Sequence, residues 1–312
     1  MQKILLDVDT GIDDALAIAY ILAQQDVELL GITTSYGMAP LNYTFRNTKK
    51  VLQILNQQIP VYKGARKPKS RLRNYDGIIH GLDGLGETLK EDYINKYSSN
   101  GENATNFIIN QVDKYEEDLM IITTGPFTNL ANAFAKKPDI IRKVGKVISM
   151  GGAVATPGNA SKFAESNVYI DPEAANIILQ SNLPLTLVGL DVTRKALLSQ
   201  EDVHRWKKIN TTSSIFFAKF TNYYLNSYQN LHPYLNGKAA LHDPLAVSVA
   251  INPDIVTTVP MFLKVDLEQN TLGRTIEDIS LSRKNDSATF VSLQVNAQKF
   301  LKDFFQKIES MF

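Results

Sequence analysis

Residues 4–17 read Ile4-Leu5-Leu6-Asp7-Val8-Asp9-Thr10-Gly11-Ile12-Asp13-Asp14-Ala15-Leu16-Ala17. An apolar run of strand length meets an acidic turn at Gly11, where the missing Cβ permits a tight bend. Asp14–Gln24 follows, alanine- and leucine-rich, and predicts a helix. The same alternation recurs downstream. Val27–Thr34 predicts a second strand and Asn42–Leu55 a second helix, ended before Pro60. Leu119–Thr123 predicts a buried strand, followed by a turn and a helix through Phe127–Phe134. Val144–Met150 and Leu183–Leu190 predict further strands. Between them Asp171-Pro172-Glu173 opens a helix to Leu179, with proline at the first helical position and acids near the positive helix end. The expected fold class is α/β: one domain, residues 1–312, with a mostly parallel, Rossmann-like sheet flanked by helices. Residues 256–282 break the pattern. Thr258–Asp266 and Gly273–Glu277 flank Glu268–Thr271 and predict a small antiparallel hairpin near the C-terminus. Phe300, Leu301, Phe304, Phe305 and Ile308 recur at helical spacing, so Leu293–Phe312 predicts a core-packing helix.

Four carboxylates, Asp7, Asp9, Asp13 and Asp14, fall within eight residues at the carboxyl end of the first predicted strand. That edge is where open α/β sheets bind ligands. The strand period of two puts Asp7 and Asp9 on one face. Asp13 and Asp14 open the helix, whose free N–H groups favour anions. Like charges this crowded are costly without a cation, and oxygen-only donors suit a hard divalent ion, Ca²⁺ or Mg²⁺. A helix cap with solvated turn acids is the plainer alternative. The Asp-x-Asp-x-Thr pattern also suits an aspartate-nucleophile phosphatase of the haloacid dehalogenase type. The downstream lysine and late acidic pair of that class have no convincing match.

Composition narrows the partners. The 33 basic and 32 acidic residues of the 312-residue chain leave a net charge of +1, no basis for nucleic acid or an anionic membrane as main partner. With no cysteine, disulfides, thiolate metal sites and cysteine nucleophiles are excluded. The N-terminal apolar run stops at Asp7, too short for a signal peptide, and no apolar stretch approaches the ~20 residues of a membrane span. The expected location is the cytoplasm.

The acidic cluster with Gly11-Ile-Asp-Asp-Ala-Leu-Ala17 resembles the signature of the inosine–uridine-preferring nucleoside hydrolase family. Thr123-Thr-Gly-Pro-Phe-Thr-Asn-Leu-Ala131 is similar to that family's second motif. Met150-Gly-Gly-Ala153, Gly158-Asn159, Ala164-Glu-Ser-Asn167 and Asp171-Pro-Glu-Ala-Ala175 are similar to its central block, and Leu241-His-Asp-Pro-Leu-Ala246 to its late block. Their order matches from residue 7 to about 246. The resemblance implies calcium-dependent hydrolysis of the N-glycosidic bond of ribonucleosides, in nucleoside salvage, by a metal-bound water through an oxocarbenium-like transition state. It implies Asp9, Asp14, Asp243 and the Thr124 carbonyl as Ca²⁺ ligands, with Asp9 also the general base. Asp13 would accept from a ribose hydroxyl, Asp7 would support the site from behind, and Asn159, Glu165 and Asn167 would hold the 3′- and 5′-hydroxyls. His242 is associated with the leaving base, packing being the alternative. His80, in the glycine-rich stretch Ile79–Gly86, is similar to part of a mobile loop that closes over the nucleoside, a plain surface loop being the alternative. A homo-oligomer, dimer or tetramer, is implied. Tyr223, Tyr224, Tyr228, His232 and Tyr234 either stack on the base or pack the core, and His204, in a charged helix, is a bystander. Two positions depart from the family: Met38 replaces the usual asparagine after Gly37, and Ser166 replaces an aromatic. Both put substrate preference and turnover in question, leaving a nucleoside-binding protein without turnover as a further reading.

Overall fold

The structure is a computed structural model; it describes residues 1–89, 96–99, 101–280 and 288–312. The strands are β1 (Gln2–Val8), β2 (Val27–Thr34), β3 (Val61–Lys63), β4 (Leu119–Thr123), β5 (Lys146–Met150), β6 (Leu185–Val188), β7 (Leu197–Leu198), β8 (Ala239–Ala240), β9 (Val256–Met261), β10 (Leu263–Val265), β11 (Thr275–Glu277) and β12 (Thr289–Val295). The helices are α1 (Ile12–Leu22), α2 (Leu41–Ile54), α3 (Ala104–Tyr115), α4 (Thr128–Lys136), α5 (Pro138–Ile141), α6 (Ser166–Ile170), α7 (Pro172–Leu179), α8 (Leu190–Thr193), α9 (Gln200–Ile209), α10 (Thr212–Leu231), α11 (His242–Ile251) and α12 (Ala297–Glu309).

Eight strands form the main sheet in the order β3-β2-β1-β4-β5-β6-β12-β9. All neighbours pair parallel except β12 with β9. Strand alternation divides the apolar side chains between two cores. Ile4, Leu6, Ile122, Ile148 and Val188 join the core that includes α1, α10, α11 and α12. Leu5, Ile121, Val147 and Leu187 join the core that includes α3, α4 and α7. A sheet covered on both faces needs such two-sided apolar strands. The chain runs outward from β1 through β2 to β3, then returns to place β4 on β1's other side. The strand order therefore reverses between β1 and β4, and a crevice opens at their carboxyl ends.

Two boundaries differ from expectation. The predicted strand Thr258–Asp266 is split at Phe262. Its first part belongs to β9, which pairs antiparallel with β12 at the sheet edge, and its last part to β10, which pairs with β11 as the hairpin. The end of the 256–282 segment, residues 281–282, lies outside the described residues. Leu293, Gln294 and Val295 belong to β12 rather than to the C-terminal helix, which starts at Ala297 behind an Asn296 cap. A strand partner far along the chain overrides local helical spacing here. Among the described residues no helix is long and apolar enough to cross a membrane.

Candidate active site

Thr124 N–H donates to the Asp7 carbonyl at 2.9 Å, knitting the two loops at the β1–β4 crevice. Asp7 does not share a face with Asp9. β1 ends at Val8 and the chain turns, so Asp7 points towards α4. There its Oδ1 accepts from Thr33 Oγ1 (2.5 Å) and Asn129 Nδ2 (2.7 Å). Burial pushes it up to about 7. Its Oδ2 is buried without a hydrogen-bond partner.

Asp9, Asp13, Asp14, Thr124, Asn159, Glu165, Asn167, His80 and His242 line one cavity with Asp243. All these expected site residues meet, although they come from β1–α1, the β3–α3 connection, β4–α4, the loop before α6 with its first turn, and α11. The oxygens of Asp13, Asp14 and Asp243 lie within 4.8 Å of one another. Asp13, expected as a sugar contact, thus joins the tightest acid group. Asp9 stands beside it, its Oδ2 accepting from Met38 N–H at 2.8 Å. Asp14 accepts from Thr124 Oγ1 (2.7 Å) and Gly11 N–H (2.9 Å). Burial, with repulsion from neighbouring acids, holds Asp9 and Asp243 well above the carboxylate range and Asp13 at about 8. Thr123 and Thr124 do not cap α4, and Asp243 does not cap α11; each is turned to a neighbour or the cavity instead.

The donor chemistry fits a hard divalent cation. The converging side chains offer only oxygens, the donor set a hard cation prefers. The nearby imidazoles are engaged elsewhere. His242 Nδ1 meets Thr193 Oγ1 at 2.7 Å and its Nε2 meets Tyr228 O–H at 2.8 Å. His80 Nδ1 accepts from Ile12 N–H at 3.1 Å. Burial drives His80 down to about 4 and His242 to about 3, so both are neutral.

The sugar-side residues are wired by backbone. Glu165 accepts from Asn167 N–H (2.8 Å), Gly152 N–H (3.0 Å) and Val168 N–H (3.1 Å). Asn167 Nδ2 donates to the Thr124 carbonyl at 2.6 Å, and Asn159 Oδ1 accepts from Ser166 N–H at 2.9 Å. Of the aromatic candidates, Tyr224 and Tyr228 line the cavity, their rings 4.7 Å apart. Tyr223 packs on Gly86, and Tyr234 and His204 lie exposed. Met38 and Ser166 both line the cavity.

Residues 4–302 match the family described as inosine-uridine preferring nucleoside hydrolase. The chain belongs to that family. It is a nucleoside hydrolase, a class that acts on N-glycosyl bonds. It is 35% identical over 303 residues to the inosine-uridine preferring nucleoside hydrolase of Crithidia fasciculata, covering 96% of this chain and 95% of that protein. It is 34% identical over 301 residues to the pyrimidine-specific ribonucleoside hydrolase RihA of Escherichia coli, with the same coverage. Among solved structures, the purine-preferring ribonucleoside hydrolase from Gardnerella vaginalis superposes with a TM-score of 0.94 at 38% identity, covering 99% of this chain and 98% of that one. These relatives' names differ in the base they prefer.

The sequence of this nucleoside hydrolase does not announce the groups that aim its acids and His242. Met38 acts through its backbone N–H, which no side-chain pattern announces. Thr193, which holds His242, sits in a one-turn helix with no motif of its own. Asn129 was visible inside the second motif, and its conjunction with a buried Asp7 was the available signal.

Proposed function

We propose that this chain hydrolyses the N-glycosidic bond of ribonucleosides to ribose and free base with Ca²⁺ as its cofactor. The observation that carries this is the convergence of Asp13, Asp14 and Asp243 in a cavity shared with Asp9, Asn159, Glu165 and Asn167. Asp9, Asp14, Asp243 and the Thr124 carbonyl would hold the ion, with Asp13 beside them for a ribose hydroxyl. When bound, the ion supplies positive charge against the acid cluster and acidifies water in the site. Asp9, aimed by the Met38 N–H, takes the proton of the attacking water. Asn159 keeps Nδ2 for donation and Asn167 keeps Oδ1 for acceptance, a complementary pair for sugar hydroxyls. Glu165 spends both oxygens on backbone N–H groups and shapes the loop that presents them. Neutral His242, braced by Thr193, backs the Tyr228 hydroxyl, which together with Tyr224 faces the departing base. The domain 1–312 acts as a dimer or tetramer in the cytoplasm.

The test is a panel of ribonucleosides and their 2′-deoxy counterparts, assayed for free base and reducing sugar with added Ca²⁺ and with chelator. Base release from ribonucleosides, lost with chelator and weak for 2′-deoxy substrates, is expected, because a missing hydroxyl strands its polar partners. Tight nucleoside binding with no base release, the outcome Met38 and Ser166 would produce in a binding protein, overturns turnover. Chelator-resistant release overturns the metal assignment.

A further inference from the structure

Asn159 is held on its far side by the turn to Ala164, its N–H donating to the Ala164 carbonyl at 3.1 Å, and on its near side by the segment 154–158, which two side chains of one helical turn fix. Asp191, in α8, accepts from Val154 N–H at 3.1 Å through Oδ2 and from Ala155 N–H at 2.7 Å through Oδ1. Arg194, which closes the same turn, takes over at the next residue. Its Nη1 donates to the Pro157 carbonyl at 2.8 Å and reaches Thr156 Oγ1 at 3.4 Å, and its Nη2 donates to the Gly158 carbonyl at 2.7 Å. Five successive residues are therefore fixed by one carboxylate and one guanidinium, ending at the residue before Asn159. The turn itself is locked to the sheet edge. Leu190 N–H donates to the Gly152 carbonyl at 2.9 Å, and a Cβ on Gly189 would stand 2.7 Å from that same oxygen. Between Asp191 and Arg194, Thr193 holds His242 Nδ1.

We propose that Asp191 and Arg194 are positioning residues for the sugar. They set Asn159 against a ribose hydroxyl and tie its setting to the turn that orients His242. A guanidinium suits this task because its rigid fork meets two adjacent carbonyls at once, which a lysine cannot do. The proposal rests on the function proposed above, in which Asn159 contacts the sugar.

The experiment compares wild type, Asn159→Ala, Arg194→Ala and Arg194→Lys on a ribonucleoside and its 3′-deoxy and 5′-deoxy counterparts, each by kcat/KM, with melting temperatures in parallel. Wild type is expected to prefer the intact sugar. Asn159→Ala is expected to lose that preference at one hydroxyl, which identifies its partner. Arg194→Ala is expected to lose preference at the same hydroxyl by about tenfold or more, the scale of one well-made hydrogen bond, with the other hydroxyl still discriminated. Arg194→Lys is expected not to restore it. If Arg194→Ala slows all three substrates equally, or keeps wild-type discrimination, the proposal is overturned. If wild type itself ignores both deletions, the sugar-contact reading of Asn159 fails instead. Restoration by lysine would show that charge alone suffices and would overturn the fork argument.

Discussion

Asp9 works only if its carboxylate is aimed, and the aim depends on a neighbour with no side chain. A Cβ on Gly37 would lie 1.9 Å from Asp9 Oδ2, the oxygen that accepts the Met38 N–H. Gly37→Ala is therefore expected to displace the carboxylate and cut kcat by about 100-fold, the scale of an ångström-sized misplacement. Activity near wild type would refute this. Glu165 invites a second test. Its two oxygens accept three backbone N–H groups, whereas a glutamine has a single acceptor oxygen. Glu165→Gln is expected to cost about 1–3 kcal/mol. Burial holds the Glu165 carboxyl above its ordinary value. A raised folded pKa means that its contribution is whole below the unfolded-chain value and declines as pH climbs through the folded one. The stability gap between wild type and Glu165→Gln should thus narrow from about pH 4 to about pH 7. Urea midpoints at the two pH values check it; a constant gap refutes the burial argument. At this scale the acids were legible because they sit together in eight residues. The groups that aim Asp9 and His242 were not, because Met38, Thr193 and Gly37 act through backbone, a lone hydroxyl and an absence.

At the scale of elements, the loop that carries His80 is anchored rather than loose, which tempers the expectation of a freely mobile lid. Arg46 of α2 is fully buried and donates Nη2 to Asn47 Oδ1 (2.7 Å) and to the Asp83 carbonyl (2.9 Å). Asn47 Nδ2 bridges that carbonyl to the Thr10 carbonyl in the acidic turn. The Asp83 carboxylate, 3.7 Å from the guanidinium, accepts from the N–H groups of Leu85, Glu87 and Leu89. Asp83→Ala leaves a buried cation uncompensated, a loss of about 3–5 kcal/mol by analogy with broken buried pairs. Amide exchange at Leu85, Glu87 and Leu89 should accelerate well beyond that of β1; equal protection would refute the anchoring role. None of this was legible. Arg46 lies in an ordinary helical segment, and burial of its charge depends on a loop 37 residues away. The fold divides the same way. Strands β1, β2 and β4 announced themselves as bounded apolar runs. β12 did not, because Thr289–Val295 gains its identity from pairing with β6 and β9, and local sequence does not encode a partner.

For the molecule as a whole, the reversal of strand order between β1 and β4 gathers acids from residues 9–14 and residue 243 into one buried place. That concentration is a functional arrangement that stability alone would avoid, since each carboxylate is both desolvated and repelled. A cation that binds only the folded chain repays the cost through mass action. At about 100 times its dissociation constant, the gain is about 2.7 kcal/mol. For a domain of this size that corresponds to a melting shift of about 4 °C. Ca²⁺ is expected to raise the wild-type melting temperature by that amount over chelated protein, and Mg²⁺ to raise it less. Asp243→Asn separates the cation's effect from the cost of crowding. It removes one buried like charge, so in chelator it should melt at or above wild type, while in Ca²⁺ it should melt below. A crossing of the two orders, read by calorimetry at fixed pH, is the signature of acids kept together for a metal. If Asp243→Asn melts below wild type by the same margin with and without Ca²⁺, the carboxylate is structural and the metal assignment of Asp243 falls.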